Sequence, residues 1–119
     1  LIDIKEPSIY KLFNEDCNEL MKRLPTQSVD LILTDPPYNI SQYSTGNIPE
    51  GKITLNNDIA DWDKKIINPV EYVDVFKRII KPRGNIIIFA GYNQIGDWHK
   101  AFDSEFDTFQ MFVWHKTNP

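Results

Sequence analysis

A nearly continuous apolar run of six residues is followed, after one aspartate, by two prolines, and this junction constrains the fold more than any other feature of the chain. Val29–Thr34 has the sequence VDLILT, which is typical of a strand covered by helices on both faces. Asp35, Pro36, Pro37 and Tyr38 follow at once. Two consecutive prolines fix φ and bias the preceding residue towards an extended backbone. The strand therefore ends in a stiff loop that presents a carboxylate beside an aromatic ring.

Strand-like and helix-like patterns alternate along the rest of the chain. Ile9–Phe13 predicts a short strand, and residues 14–24 predict a helix that Asn14 or Asp16 caps and Pro25 ends. The later elements are a helix from Pro69 to Pro82 with Val70, Val73, Phe76, Ile79 and Ile80 on its apolar face, a strand Asn85–Ala90, a helix Tyr92–Phe102 and a last strand Phe106–Trp114.

This alternation predicts an α/β fold with a mostly parallel sheet flanked by helices. Ligands of such sheets bind beyond the carboxyl ends of the strands. The loops that begin at Asp16, Asp35 and Gly91 should all lie on that edge. Asn39–Asp63 has no sustained period, and an irregular stretch of this length predicts a mobile loop with a functional role.

Composition limits the function classes. The 119 residues suffice for one small domain, and a net charge of −4 disfavours a free-standing nucleic-acid binder because phosphate contacts need clustered cations. One cysteine, Cys17, suits a reducing cytoplasm and gives no metal site; we expect it to be a small buried residue. No apolar run is long enough to span a membrane.

A lone Pro-Pro is most often a rigid turn, but its flanking residues here favour a site, because a carboxylate beside a ring suits an extruded planar base. Asp35-Pro36-Pro37-Tyr38 resembles the catalytic tetrapeptide of DNA amino-methyltransferases, the adenine-N6 and cytosine-N4 type. The resemblance covers about residues 9–119, through NEDCNELMKRLPTQSVDLILTDPPYNI, KPRGNIIIFAGYNQI and FVWHKTNP. It is closest to the permuted class in which the catalytic motifs come first.

The resemblance implies a partial Rossmann-like, S-adenosylmethionine-dependent methyltransferase fold and methylation of DNA, with adenine as the expected base. Asp35 and the Pro36 carbonyl would accept the hydrogens of the exocyclic amine, and Tyr38 would stack on the flipped base. Pro37 completes the catalytic set. A strong general base is not required, because the amine proton becomes acidic once the methyl group is attached.

The other candidate residues have weaker support. Asp16 resembles the family's cofactor-binding acid, which Asp35 would assist, but an ordinary helix cap explains Asp16 equally well. Asn39, Trp114 and Asn118 would border the base pocket, although an aromatic residue at a strand end is more often part of the core. A basic cluster is interpreted as a solvated helix end rather than a phosphate site; its members are Lys77, Arg78, Lys81 and Arg83.

The family's Phe-x-Gly-x-Gly cofactor loop does not occur in these residues. We therefore expect the chain to be the N-terminal, catalytic-motif half of a bacterial, archaeal or phage enzyme, inactive alone. Its expected partners are double-stranded DNA and the C-terminal half with the target-recognition region; a homodimer is left open. Two alternatives also stay open: a non-catalytic binding or assembly module, and a methyltransferase acting on an RNA base or a protein amide.

Overall fold

A computed structural model describes residues 10–38, 47–50, 53–56, 66–115 and 117. These residues form three helices and four strands. In chain order they are α1 (Cys17–Arg23), β1 (Val29–Thr34), β2 (Asn47–Glu50), β3 (Ile53–Asn56), α2 (Val70–Ile79), β4 (Ile80–Ile88) and α3 (Ile95–Phe102).

The centre of the fold is a parallel pair of strands, β1 and β4. Leu31–Thr34 pairs in register with Asn85–Ile88, whereas the register shifts between Val29 and Leu31. Arg83 and Gly84 lie in this irregular part of β4. A Cβ on Gly84 would lie 2.6 Å from the Ile80 side chain and 3.0 Å from the Asp30 carbonyl oxygen. Glycine therefore lets the irregular backbone of β4 approach β1 closely.

One face of this sheet packs against a cluster formed by α2 and α3. The cluster consists of Val73, Phe76, Trp98 and Phe102, and Ile32, Ile86 and Ile88 pack onto it from the sheet. The predicted apolar face of α2 is confirmed at Val73, Phe76 and Ile79, but Val70 is 64% exposed. Ile80 already belongs to β4.

The opposite face of the sheet is open in the described part of the chain. Leu31 and Leu33 of β1 are 48% and 60% exposed, and Ile87 and Phe89 are exposed beside them. The expectation that helices cover both faces of β1 is wrong for the residues described. Strand side chains alternate between faces, and the described helices pack against the Ile32 face alone.

Helix α1 confirms one of its two predicted caps. The Asp16 carboxylate Oδ1 accepts a hydrogen bond from the Asn18 amide at 2.8 Å. The helix ends at Arg23, before Pro25 as expected. Cys17 is exposed, so its prediction as a buried residue is wrong. Helix α1 has no buried residue, because only part of it, including half-buried Met21, reaches the core.

The two terminal strands were predicted wrongly. Residues 10–13 and 106–115 have no strand structure. A strand needs a neighbouring backbone to bond, and β1 pairs only with β4 among the described residues. Phe106 stacks on Phe102, after which Phe112 and Trp114 are about four-fifths exposed, at 85% and 78%.

The long segment 39–63 is not wholly irregular. Strands β2 and β3 lie within it and pair antiparallel, Asn47 with Asn56 and Glu50 with Ile53. The prediction of an irregular loop is therefore wrong for these eight residues, because two strands of four residues each are too short to show a sustained period in the sequence. The mobility of the remainder stays a prediction.

The α/β class and the parallel pairing are confirmed for β1 and β4. The Rossmann-like arrangement stays a prediction, as does the division of the protein into a catalytic-motif half and further parts. No helix in the described residues is long and apolar enough to cross a membrane.

Candidate active site

The candidate site lies where β1 and β4 end side by side. The Phe89 amide donates to the Thr34 carbonyl at 2.9 Å, and this is the last bond between the two strands. Asp35 follows Thr34 directly. A Cβ placed on Gly91 would lie 3.5 Å from the Tyr38 Cβ, so the loops after the two strands are in contact. Asp35 and Gly91 thus share the carboxyl edge, as predicted, whereas the position of Asp16 on that edge stays a prediction.

The carboxylate and the ring of the Asp35–Tyr38 loop bond each other. The Tyr38 hydroxyl donates to Asp35 Oδ1 at 2.5 Å. This hydrogen bond, followed by burial of the phenol and by the negative charge of Asp35, raises the pKa of Tyr38 to about 12. Asp35 is exposed, while Pro36, Pro37 and Tyr38 are half-buried. The loop therefore presents an oriented carboxylate to solvent, while its other three residues are partly covered by the protein.

This geometry suits hydrogen bonding to a planar amine. Oδ1 of Asp35 is held by a phenol, which fixes the direction of the carboxylate. A carboxylate has about four acceptor positions on its two oxygens, so one phenol bond does not exhaust its capacity. The site can accept a hydrogen from an N–H donor and can stabilise positive charge that develops on the donor nitrogen.

Two site residues were missed by the sequence analysis, namely Asn93 and Gln94. Asn93 Nδ2 donates to the Tyr38 carbonyl at 3.2 Å, and Gln94 Nε2 donates to the Pro37 carbonyl at 3.1 Å. Both follow Gly91 at the end of β4. Side-chain amides in the loop that follows a strand at the carboxyl edge were the available signal, since Pro36 and Pro37 lack N–H groups of their own.

Two of the remaining sequence candidates, Asp16 and Trp114, form no described contact with this group. Asp16 caps α1. Trp114 is 78% exposed in a segment without regular structure. Asn39 and Asn118 lie outside the described residues. Their roles, and that of Asp16 with the cofactor, stay predictions.

The basic cluster has mainly structural contacts. Lys77 bonds Glu105 at 2.7 Å, and Lys81 bonds Asp30 at 2.8 Å. Arg78 donates to two backbone carbonyls of the α1 end, those of Leu24 and Met21, at 2.6 Å each. Lys77 and Arg78 lie in the last turn of α2, as interpreted, whereas Lys81 belongs to β4 and Arg78 is half-buried rather than solvated.

The described residues contain no group of three or more His, Cys, Asp or Glu side chains that could hold a metal ion.

Comparison with known proteins decides the family. Residues 29–119 match the family model described as DNA methylase, N6_N4_Mtase. The chain belongs to the DNA methylase family. The match includes β1, the Asp35–Tyr38 loop and the Asn93-Gln94 pair.

Bacterial type II methyltransferases are similar over much of the chain. Type II methyltransferase M2.LlaDCHI of Lactococcus lactis subsp. cremoris is 30% identical over 117 residues, and M2.DpnII of Streptococcus pneumoniae is 28% identical over 117; each alignment covers 91% of this chain and 42% of the relative. M.BamHI of Bacillus amyloliquefaciens is 35% identical over 83 residues, 66% of this chain and 17% of the relative. The chain thus spans less than half the length of these relatives.

Proposed function

We propose that this chain carries the catalytic motif of a DNA methyltransferase that transfers a methyl group from S-adenosylmethionine to the exocyclic amine of a flipped base, with adenine as the base. The observation that carries the proposal is the exposed Asp35 carboxylate, oriented by Tyr38 at the carboxyl edge of the sheet. The family match supports methyl transfer to DNA, and the choice of adenine rests on the motif resemblance.

The amine of adenine is a poor nucleophile because its lone pair is delocalised into the ring. A hydrogen bond from the amine to Asp35, and a second to the Pro36 carbonyl, would favour a pyramidal nitrogen. As the nitrogen forms its bond to the methyl carbon it becomes positively charged, and the negative Asp35 stabilises that charge. The methylated amine then loses its acidic proton to water and becomes neutral.

The cofactor, when bound, supplies the methyl group on a sulfonium that departs as a neutral thioether. Two carboxylates in this chain, Asp16 and Asp35, would hold part of it. Their chemistry fits, because the cofactor presents amine and hydroxyl donors and carries a positive charge. No Phe-x-Gly-x-Gly sequence occurs among the 119 residues, so we expect this chain alone to bind the cofactor weakly.

The base would be extruded against Tyr38, with Asn39, Trp114 and Asn118 proposed as further borders of its pocket. With a net charge of −4, the chain is poorly suited to hold the DNA phosphates by itself. We therefore propose that most of the DNA grip comes from outside these residues, from a C-terminal half or from a second copy. The enzyme would act in the cytoplasm, where its DNA lies.

The test is the identity of the methylated base. The protein, expressed as its reading frame encodes it, is incubated with unmethylated DNA and labelled S-adenosylmethionine, and the DNA is digested to nucleosides for mass spectrometry. We expect labelled N6-methyladenine, and Asp35→Ala as the matched control should form almost none. N4-methylcytosine would overturn the choice of adenine. Absence of any labelled base with well-folded protein would favour a non-catalytic module, and label in RNA or protein alone would favour the other substrates.

A further inference from the structure

We propose that the side-chain amides of Asn93 and Gln94 are positioning groups that fix the Asp35–Tyr38 loop in the shape needed for methyl transfer. The proposal rests on the proposed function and extends it to residues that do not touch the reacting base.

The Asp35–Tyr38 loop has no backbone hydrogen-bond donor at its two central residues. Pro36 and Pro37 have no N–H, and the strand-to-strand bonding of β1 ends at the Thr34 carbonyl. Backbone carbonyls after this point are satisfied by donors from another part of the chain or by water. The amides of Asn93 and Gln94, 55 and 57 residues further along, donate to the Tyr38 and Pro37 carbonyls.

Both side-chain amides are oriented so that their N–H groups donate to the loop, although this orientation leaves their own oxygens without hydrogen bonds. Asn93 Oδ1 and Gln94 Oε1 are buried and have no hydrogen-bond partner. Rotating either amide by half a turn would place its oxygen against a carbonyl oxygen, which is repulsive. Buried unpaired acceptors are rare in proteins and call for an explanation. Here the loop carbonyls determine the orientation of each side-chain amide, and the unpaired amide oxygens are a consequence of that orientation.

Gln94 is also rigidly held. It is 8% exposed and is the one buried polar residue among those described. The backbone N–H of Gln94 donates to the Gly91 carbonyl at 2.9 Å, and the backbone carbonyl of Gln94 accepts from the backbone N–H of Trp98 at 3.1 Å. The second bond joins Gln94 to α3. Trp98 is itself 5% exposed in the core. The Gln94 amide therefore transmits the position of a packed helix to the loop.

Gly91 makes the contact close enough for these bonds. A Cβ at this position would lie 2.6 Å from Asn93 Oδ1 and 3.5 Å from the Tyr38 Cβ. The first distance is incompatible with any side chain unless Asn93 moves. Gly91 and the side-chain amides of Asn93 and Gln94 thus together fix the position of the Asp35–Tyr38 loop relative to the ends of β1 and β4. That position in turn sets the direction of the Asp35 carboxylate.

The experiment replaces the amides by apolar groups of similar length, Asn93→Leu and Gln94→Met, singly and together, in the protein as its reading frame encodes it. Gln110→Met is the matched control, because Gln110 is exposed and outside the site. Three readouts are taken: single-turnover methylation, Kd for S-adenosylmethionine and for DNA, and Tm. The pKa of Tyr38 is followed independently by NMR with tyrosine labelled at carbon ζ, the signal being assigned with Tyr38→Phe.

If the amides position the loop, the double variant methylates on the order of tenfold more slowly or worse, because misplaced reacting groups lose rate rather than binding. Tm should change by less than about 3 °C, since each substitution also removes a buried unpaired oxygen. The pKa of Tyr38 should fall from about 12 towards its ordinary value as the bond to Asp35 loosens. Gln110→Met should match the parent.

Parent-like rates together with an unchanged Tyr38 titration in the double variant would overturn the proposal. A rate loss that follows a fall of Tm beyond 10 °C or so would also overturn it, because the amides would then stabilise the fold rather than the loop. A parent protein that methylates nothing would contradict the proposed function alone, and the Tyr38 titration would then decide the positioning role by itself.

Discussion

Asp35 and Tyr38 are joined by a hydrogen bond across the two prolines that separate them, the Tyr38 hydroxyl lying 2.5 Å from Asp35 Oδ1. The residue expected to bond the amine is thereby oriented by the residue expected to stack on the base. Binding of a base and alignment of the carboxylate are consequently coupled, because movement of the ring moves the phenol that holds Asp35.

The first prediction concerns the pKa of Tyr38, which the bond to Asp35 raises to about 12. Asp35→Ala should return it towards the ordinary value of about 10, because the acceptor and its charge are lost. Since the folded state binds this proton more tightly than the unfolded state, the bond stabilises the fold below pH of about 10 and ceases to do so as the pH rises past about 12. NMR titration of labelled tyrosine measures the shift. Asp107→Ala, an exposed control, should leave it unchanged.

The second prediction concerns the rate of methyl transfer. Asp35→Ala should lower the single-turnover rate by a factor on the order of a hundred or more, about 3 kcal/mol, with much smaller effects on DNA and cofactor binding. Asp35→Asn should recover only part of the rate, because its amide oxygen accepts a bond but carries no charge. A folded Asp35→Ala protein that methylates at nearly the parent rate would show that the catalytic assignment is wrong.

The third prediction separates the ring of Tyr38 from its hydroxyl. Tyr38→Phe keeps the stacking surface and loses the bond to Asp35, so we expect a rate within about tenfold of the parent, the value of one ordinary hydrogen bond. Tyr38→Trp should behave similarly. Tyr38→Ala loses the ring, at roughly 1 to 3 kcal/mol, and should retain the flipped base less well. Fluorescence of 2-aminopurine at the target position measures that retention. Equal retention in the Ala and Phe variants would contradict stacking.

Local signals account for the elements that the sequence predicted well. Val29–Thr34 is a nearly continuous apolar run bounded by a turn and by prolines, and it forms β1 with the predicted bounds. Asp16 was one of two predicted caps, and the spacing of Val73, Phe76 and Ile79 identified the buried face of α2. Each of these features depends on neighbours a few residues apart.

The features that were missed depend on distant partners. Residues 106–114 have strand-like composition, but they pair with no strand among the described residues. The contact of Asn93 with the Tyr38 carbonyl joins residues 55 apart, and the sequence pattern could place both loops on one edge without showing which atoms meet there. The Asp35–Tyr38 bond was missed for a different reason: the pattern assigned each side chain to a ligand rather than to the other.

The last prediction concerns Arg78, which links the end of α1 to α2. Its Nη1 and Nη2 atoms donate to the Leu24 and Met21 carbonyls at 2.6 Å each, in a half-buried position. The Met21 carbonyl lies in the last turn of α1 and already accepts the Leu24 amide at 3.2 Å, while Leu24 is the residue that caps the helix. Carbonyls at this end of a helix lack the amide partners that they would have in its interior. Arg78→Ala removes two charge-assisted bonds, and we expect it to lower the free energy of unfolding by about 1 to 3 kcal/mol.

Arg78→Lys should recover less than half of that loss, because an ammonium group cannot reproduce the fork that reaches both carbonyls. Arg83→Ala is the matched control, since Arg83 is exposed and belongs to the same basic cluster; its effect should stay within about 0.5 kcal/mol. Urea denaturation gives the free energies, and amide exchange shows where the structure loosens. Loss of protection should concentrate in α1, because its Met21 carbonyl also accepts the Leu24 amide and loses its second donor. Equal destabilisation by Arg78→Ala and Arg83→Ala would mean that the guanidinium acts only through net charge.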